Sequence, residues 1–292
     1  REHGSRWGTR VSGGVKDCVI RPWHARVARG LAAHEGRCVL TRREQVGPLA
    51  VQKPLYPEGD AVCHAVLLHP PGGIAGGDQI DIALTLAAGS HALITTPGAA
   101  KWYRSLGAVA TQQVHCHVAA GAALEYLPQE NILFDGCHGG SVLEVQLDEG
   151  ATFIGWDISV MGRPASGEDY LSGVFRQRSE ITVNDIPRLF ETARLAGGEA
   201  LLDSPAGYRG CRVSGTLLAA GKKVGADTVA ACRALVLQCG AMAGITQCPD
   251  VLIARYLGND VEAARAYFSN VWTLVRPELL GRAAQMPRIW ST

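Results

Sequence analysis

The chain has no G-x-G-x-x-G opening a helix and no Lys-Ser/Thr pair closing a glycine loop, so neither standard phosphate cradle is present. Its most glycine-rich stretch, HPPGGIAGGD at 69–78, ends on Asp78 where a phosphate loop would carry lysine, and that charge repels a phosphate. No serine is flanked by glycine two residues before and two after, which removes the nucleophile elbow. HEGRC at 34–38 opens like a zincin helix but lacks the second histidine. Nine cysteines include no C-x-x-C pair and no regular spacing, a pattern that fits free thiols in a reducing compartment. Twenty-eight lysines and arginines against 27 aspartates and glutamates leave a formal net charge of +1, so no global field recruits nucleic acid or an anionic membrane. No stretch approaches the ~20 apolar residues of a membrane span, and the first residues contain no apolar signal core. The expectation is a soluble, cytoplasmic protein.

What is present is mostly strand. Residues 1–22 are rich in Gly, Arg and Ser and read as a flexible N-terminal extension, with a single domain over 23–292. From residue 61 to about 195 come short β-branched or alternating segments, among them AVCHAVLLH, QIDIALTL, TQQVHCHV, SVLEVQL and RQRSEITV. Three of the intervening turns recur: LTLAAGSHALI, CHVAAGAALEYL and VQLDEGATFIGW place Gly89, Gly121 and Gly150 at intervals of 32 and 29 residues, which predicts stacked hairpin-like or solenoid-like units. LLAAGKKV at 217–224 reads as a fainter fourth copy. Helical patterning comes late, over 227–243 and over 259–276. The second segment has a capping-box-like Asn259 and Glu262, an apolar face of Ala264, Phe268, Val271, Trp272 and Val275, and Pro277 at its end. The fold class is therefore mainly β with two helices near the C-terminus.

Candidate chemistry rests on scattered ligands. Cys63-His64 with His69, His115-Cys116-His117 and Cys137-His138 suit Ni, Zn or Cu, although on a strand Cys116 points away from His115 and His117. Asp78, Glu125, Glu130, Asp135 and Asp157 lie among apolar or turn residues. There a carboxylate either accepts backbone amides in a turn or lines a polar path that holds a divalent ion weakly enough to release it.

HPPGGIAGGD, SHALITTPGAAKWYRS (90–105) and LEYLPQENILFDG (124–136) closely resemble the urease accessory protein family UreD, called UreH in some bacteria. GWDISVMGRPASGEDYLSG (155–173), SPAGYRGCRVSGTL (204–217) and MPRIW (286–290) extend the likeness in motif order to the C-terminus. The resemblance implies a β-helix-like sandwich of many strands with two helices. It also implies a non-catalytic maturation factor that joins UreF and the GTPase UreG on apo-urease in a heteromeric complex, up to a dimer of heterodimers. On that reading no cofactor is held tightly. Ni2+ is cargo in transit to the dinickel centre, with Asp78, Glu125, Glu130, Asp135 and Asp157, and then His115 and His117, as its candidate contacts. Two rival readings remain: a pure bridging module with no ion path, and an independent metal-dependent hydrolase. The chain departs from the family pattern at Glu130-Asn131, where an acid followed by threonine is expected, and Cys63-His64 and Cys137-His138 match no part of it.

Overall fold

The computed structural model describes residues 23–237 and 240–291, so the N-terminal extension expected over 1–22 lies outside the described residues. The chain opens with a hairpin, β1 (His24–His34) and β2 (Arg37–Val46), followed by β3 (Ala50–Val51), β4 (Val62–Leu68), β5 (Gln79–Leu86) and β6 (His91–Thr95). Next come β7 (Ala100–Trp102), β8 (Ala110–Val118), β9 (Ala123–Leu127), β10 (Asn131–Leu133), β11 (His138–Leu147) and β12 (Thr152–Met161). The remainder is β13 (Val174–Val183), β14 (Ile186–Ala196), β15 (Val213–Ala220), α1 (Ala226–Arg233), β16 (Met242–Gln247), β17 (Val251–Gly258) and α2 (Val261–Leu280).

Two sheets face each other. One runs β14-β13-β11-β8-β5-β1-β2 and the other β16-β17-β15-β12-β9-β6-β4-β3, with β10 and β7 attached through β12. The chain alternates between them: β4, β6, β9 and β12 are parallel in one sheet, and β5, β8, β11 and β13 are parallel in the other. This is a solenoid, and the glycine recurrence marks one of its ends. Gly89, Gly121 and Gly150 have φ of +69°, +65° and +69°, and each sits in the tight turn from a strand of the first sheet to the next strand of the second. The turns stack, with Gly89 N–H donating to Ala120 O at 3.2 Å and Gly121 N–H to Glu149 O at 3.1 Å. A side chain with a Cβ resists that left-handed conformation, which explains why glycine returns there. LLAAGKKV is not a rung: β15 pairs antiparallel with both β12 and β17.

At the opposite end longer loops cross between the sheets, and HPPGGIAGGD is the first of them. Gly72 and Gly77 have φ of +75° and +91°, while Gly73 and Gly76 let the loop lie against Tyr103 and Ser105, where a Cβ would come within 2.3 Å of either side chain. The stretch is a packing device, with no helix behind it.

Alternation divides β12 between two cores. Phe153 and Met161 join the core between the sheets, whereas Ile154, Trp156, Ile158 and Val160 face the helices. On α2 the expected stripe of Ala264, Phe268, Val271, Trp272 and Val275 is fully buried. Two details differ from expectation. The cap is Asp260, whose carboxylate accepts from the N–H groups of Glu262 and Ala263, and the helix passes through Pro277 to Leu280. Pro277 leaves the Thr273 carbonyl without its helical N–H, and the helix runs one turn further to close with Gly281 N–H donating to Pro277 O at 2.9 Å. The helix expected over 227–243 is only α1, since the chain re-enters the sheet as β16. The terminal MPRIW segment returns to the helix side, where the Trp290 indole donates to Thr95 Oγ1 at 2.8 Å and its ring lies near Trp156 and Trp272.

Candidate functional site

The candidate residues separate by layer. Asp157 is the acid that points between the sheets, on the same face of β12 as Phe153 and Met161. It lines a cavity of about 480 Å³ between the sheets, together with Gln112, Tyr126, Gln177, Tyr208 and Thr216. Its carboxylate accepts from Gln177 Nε2 at 2.5 Å, Asn131 Nδ2 at 2.9 Å and Ser159 Oγ at 3.2 Å. Burial raises its pKa above the ordinary carboxylate value, and these three neutral donors only partly offset that. Arg255 and Glu191, also lining the cavity, join β17 to β14 through bonds of 2.6 and 2.9 Å.

Glu125 faces the helix side instead, and it is fully buried. His91 Nε2 bonds one of its oxygens at 2.7 Å, Trp272 Nε1 donates to the other at 2.6 Å, and Arg276 Nε and Nη2 add bonds of 2.9 and 3.0 Å. Burial alone would raise its pKa, but the bonds from His91 and Arg276 outweigh that and hold it low. Arg276, itself fully buried, also donates to both oxygens of Glu58 at 2.8 Å, and Glu58 meets His64 Nε2 at 2.7 Å. The result is a closed chain, His64–Glu58–Arg276–Glu125–His91, that clamps α2 to strands β4, β6 and β9. Sequence reasoning missed Glu58, His64, His91 and Arg276 as a unit. No local signal marks them, because Arg276 lies 151 residues from Glu125 and 218 from Glu58.

Asp78 and Asp135 belong to the crossing loops. Asp78 accepts from the N–H groups of Trp23 at 2.9 Å and Ala75 at 2.8 Å. Asp135 accepts from Leu171 N, Ser172 N and Ser172 Oγ at 3.0, 2.8 and 2.9 Å, and pairs with Arg104 at 2.5 Å. Asp78 ties its own loop to the start of β1, and Asp135 ties its loop to the segment at 171–172, so both carboxylates pin loops by accepting backbone amides and Asp135 forms no local Asx turn. Glu130 is different: it is nine-tenths buried, its Oε2 has no hydrogen-bond partner, and the nearest cation, Arg265 Nη1, stands 3.7 Å away. His115 and His117 lie on the outer face of the seven-stranded sheet, half exposed, paired with Glu144 at 2.7 Å and Asp148 at 3.3 Å. The candidates thus occupy four regions, and no three His, Cys, Asp or Glu among the described residues are arranged to hold a metal ion. No described helix is long and apolar enough to cross a membrane.

The arrangement is that of a β-solenoid sandwich with a mostly apolar pocket inside it, into which Asp157, Gln177 and Arg255 project, and a buried ionic clamp on its helical side. The sequence pattern described as UreD urease accessory protein matches residues 24–291. A urease accessory protein UreD of Dechloromonas aromatica is 47% identical over 92% of this chain and 95% of its own length. Proteins of the same description from Azoarcus sp. and Nitrosococcus oceani are 47% and 46% identical, over 92% and 94% of this chain and 94% and 93% of theirs. The chain belongs to the UreD family of urease accessory proteins.

Proposed function

We propose that the protein is a non-catalytic scaffold and metallochaperone that works in the cytoplasm with UreF and the GTPase UreG, passing Ni2+ to apo-urease. The observation that carries this reading beyond family membership is Asp157, a carboxylate held by neutral donors at the wall of a cavity inside the sandwich. Carboxylate oxygens bind Ni2+, a borderline cation, less firmly than imidazole does, and burial that disfavours the charged form weakens the hold further, as transit requires. Glu130, outside the lining of that cavity, is the second ion contact: its buried Oε2 accepts no hydrogen bond and stands 3.7 Å from Arg265 Nη1. Hydrolysis of GTP falls to the partner, since this chain has no phosphate loop. The reading is tested with Asp157→Ala and Glu130→Ala in cells carrying the urease operon. Complexes recovered on apo-urease in normal amount, with urease poor in nickel, support it. Normal nickel loading by both variants overturns the ion path.

One observation favours a bridging module with no ion path: Asp78, Glu125, Asp135 and Asp157 each accept two or more internal hydrogen bonds. On that reading the same two variants load urease normally, and only surface substitutions that break the complex reduce activation.

A further inference from the structure

On the inner face of the seven-stranded sheet, polar side chains gather in two adjacent cross-strand rows of β8, β11, β13 and β14. One row joins Gln112, Ser141, Gln177 and Ala193, and the next joins Val114, Leu143, Ser179 and Glu191. The flanking rows revert to core residues, Ala110, Phe175 and Leu195 on one side and Cys116, Val145 and Ile181 on the other. Across from them the second sheet presents Tyr126 and Leu218, both beside Gly155, and then Asp157, Thr216 and Arg255. These two patches wall the cavity of about 480 Å³.

Part of that wall has no partner within the protein. Tyr126 is more than nine-tenths buried and its ring lies between the sheets, yet its hydroxyl makes no hydrogen bond with any described residue. The Gln112 side-chain amide and the Tyr208 hydroxyl, which line the same cavity, are likewise without a bond among the described residues. Leaving such groups unpaired costs stability, so their convergence on one cavity marks a place that receives a hydrogen-bonding solute.

The charged groups of the wall are already engaged. Arg255 holds Glu191 at 2.6 and 2.9 Å, Arg178 pairs with Glu144 and Glu180, and Asp157 accepts from Gln177, Asn131 and Ser159. An anionic head would meet Asp157, and a cationic one would meet Arg255 in the same row. The rest of the wall is apolar, from Val114, Leu143, Ala193, Leu218 and Leu257. Sheets stacked about 10 Å apart leave room for a flat body where side chains are short. Entry is from the edge of the sandwich, where Arg255 is half exposed and a Cβ on its neighbour Gly244 would meet no atom within 4 Å.

We propose that this cavity binds an uncharged organic molecule, a primary carboxamide on a flat apolar body, with Tyr126 Oη and the Gln112 side chain as its hydrogen-bond partners. A carboxamide both donates and accepts, as a phenol and a side-chain amide do, so it satisfies either group without adding a charge beside Asp157. The site goes beyond the ion-path reading and does not depend on it.

The test uses three probes that share one ring and differ in the head: benzamide, benzoate and benzylammonium. Each is added to the folded, nickel-free full chain, and binding is followed by saturation-transfer NMR and equilibrium dialysis. The expected result is one benzamide per chain, held roughly tenfold or more tightly than either ion, because an ion loses its hydration on entering. Gln112→Leu and Tyr126→Phe keep the volume and remove the polar atoms, and each should weaken benzamide roughly five- to tenfold, the loss of one hydrogen bond. Ala193→Phe, which fills the slot, should abolish binding. Preference for benzylammonium overturns the proposal and leaves Asp157 as a cation anchor, and preference for benzoate overturns it in favour of Arg255. Absence of benzamide binding at millimolar concentration overturns it too, as does binding unchanged in both Gln112→Leu and Tyr126→Phe. Nickel is absent throughout, so failure of this site leaves the ion path to its own test.

Discussion

Replacing Arg276 by methionine removes one permanent cation from the buried clamp while keeping most of the apolar stem. The guanidinium makes six contacts: three to Glu125, two to Glu58 and one to Ala283 O. After the change Glu125 keeps His91 and Trp272, and Glu58 keeps only His64, so two buried carboxylates share no fixed positive charge. Breaking a buried ion pair by deleting one partner costs about 3–5 kcal/mol, because the remaining charge stays desolvated. Urea unfolding of Arg276→Met should show a loss in that range. The triple variant Glu58→Gln, Glu125→Gln, Arg276→Met should recover most of it, because no uncompensated charge remains. The clamp also fixes an acid limb. Glu58 sits at about 2 against an ordinary 4.5, and Glu125 is likewise lowered. Depressed carboxylates contribute stability that is present above pH 4.5 and lost as pH falls toward 2. Arg276→Met should flatten that limb. A loss below ~1 kcal/mol at neutral pH, within the range of an exposed pair, would refute the argument that this network holds α2 in place.

Other outcomes follow from local geometry. Gly89→Ala, Gly121→Ala and Gly150→Ala should each cost about 1–2 kcal/mol in thermal or urea unfolding, because each turn needs a positive φ. Gly98→Ala, with open space and no such φ, should change little. Asp260→Ala removes the cap of α2 and should cost ~1 kcal/mol, with helix content otherwise retained. Asp157→Asn should lessen the fall in stability as pH rises above 3.8. A carboxyl whose folded pKa is raised is increasingly penalised as pH passes its unfolded value, and the amide escapes that penalty.

The solenoid could be read in the chain because its cause is local. A turn that requires a left-handed residue writes glycine at each rung, and strands buried on one face write alternation, so Gly89, Gly121, Gly150 and the stripe of α2 were visible. No local signal marks the hairpin of β1 and β2, and the helical pattern over 227–243 outruns α1 because an Ala/Leu-rich run does not reveal where a helix gives way to the edge strand β16. The site was legible only as a set of residues. Which carboxylate pins a loop, as Asp78 and Asp135 do, which binds a buried arginine, as Glu125 does, and which faces the cavity, as Asp157 does, depends on partners brought in from other rungs. Parity within a strand could have separated Glu125 from its neighbour Tyr126, which faces the other core, but not told which core held the cavity.

A role in urease maturation is tested by the nickel content and activity of urease purified from cells that carry the urease operon with this gene deleted and then restored. The expected outcome is nickel-poor, inactive urease in the deletion and recovery of both properties on restoration. Fully loaded, active urease in the deletion strain would contradict it.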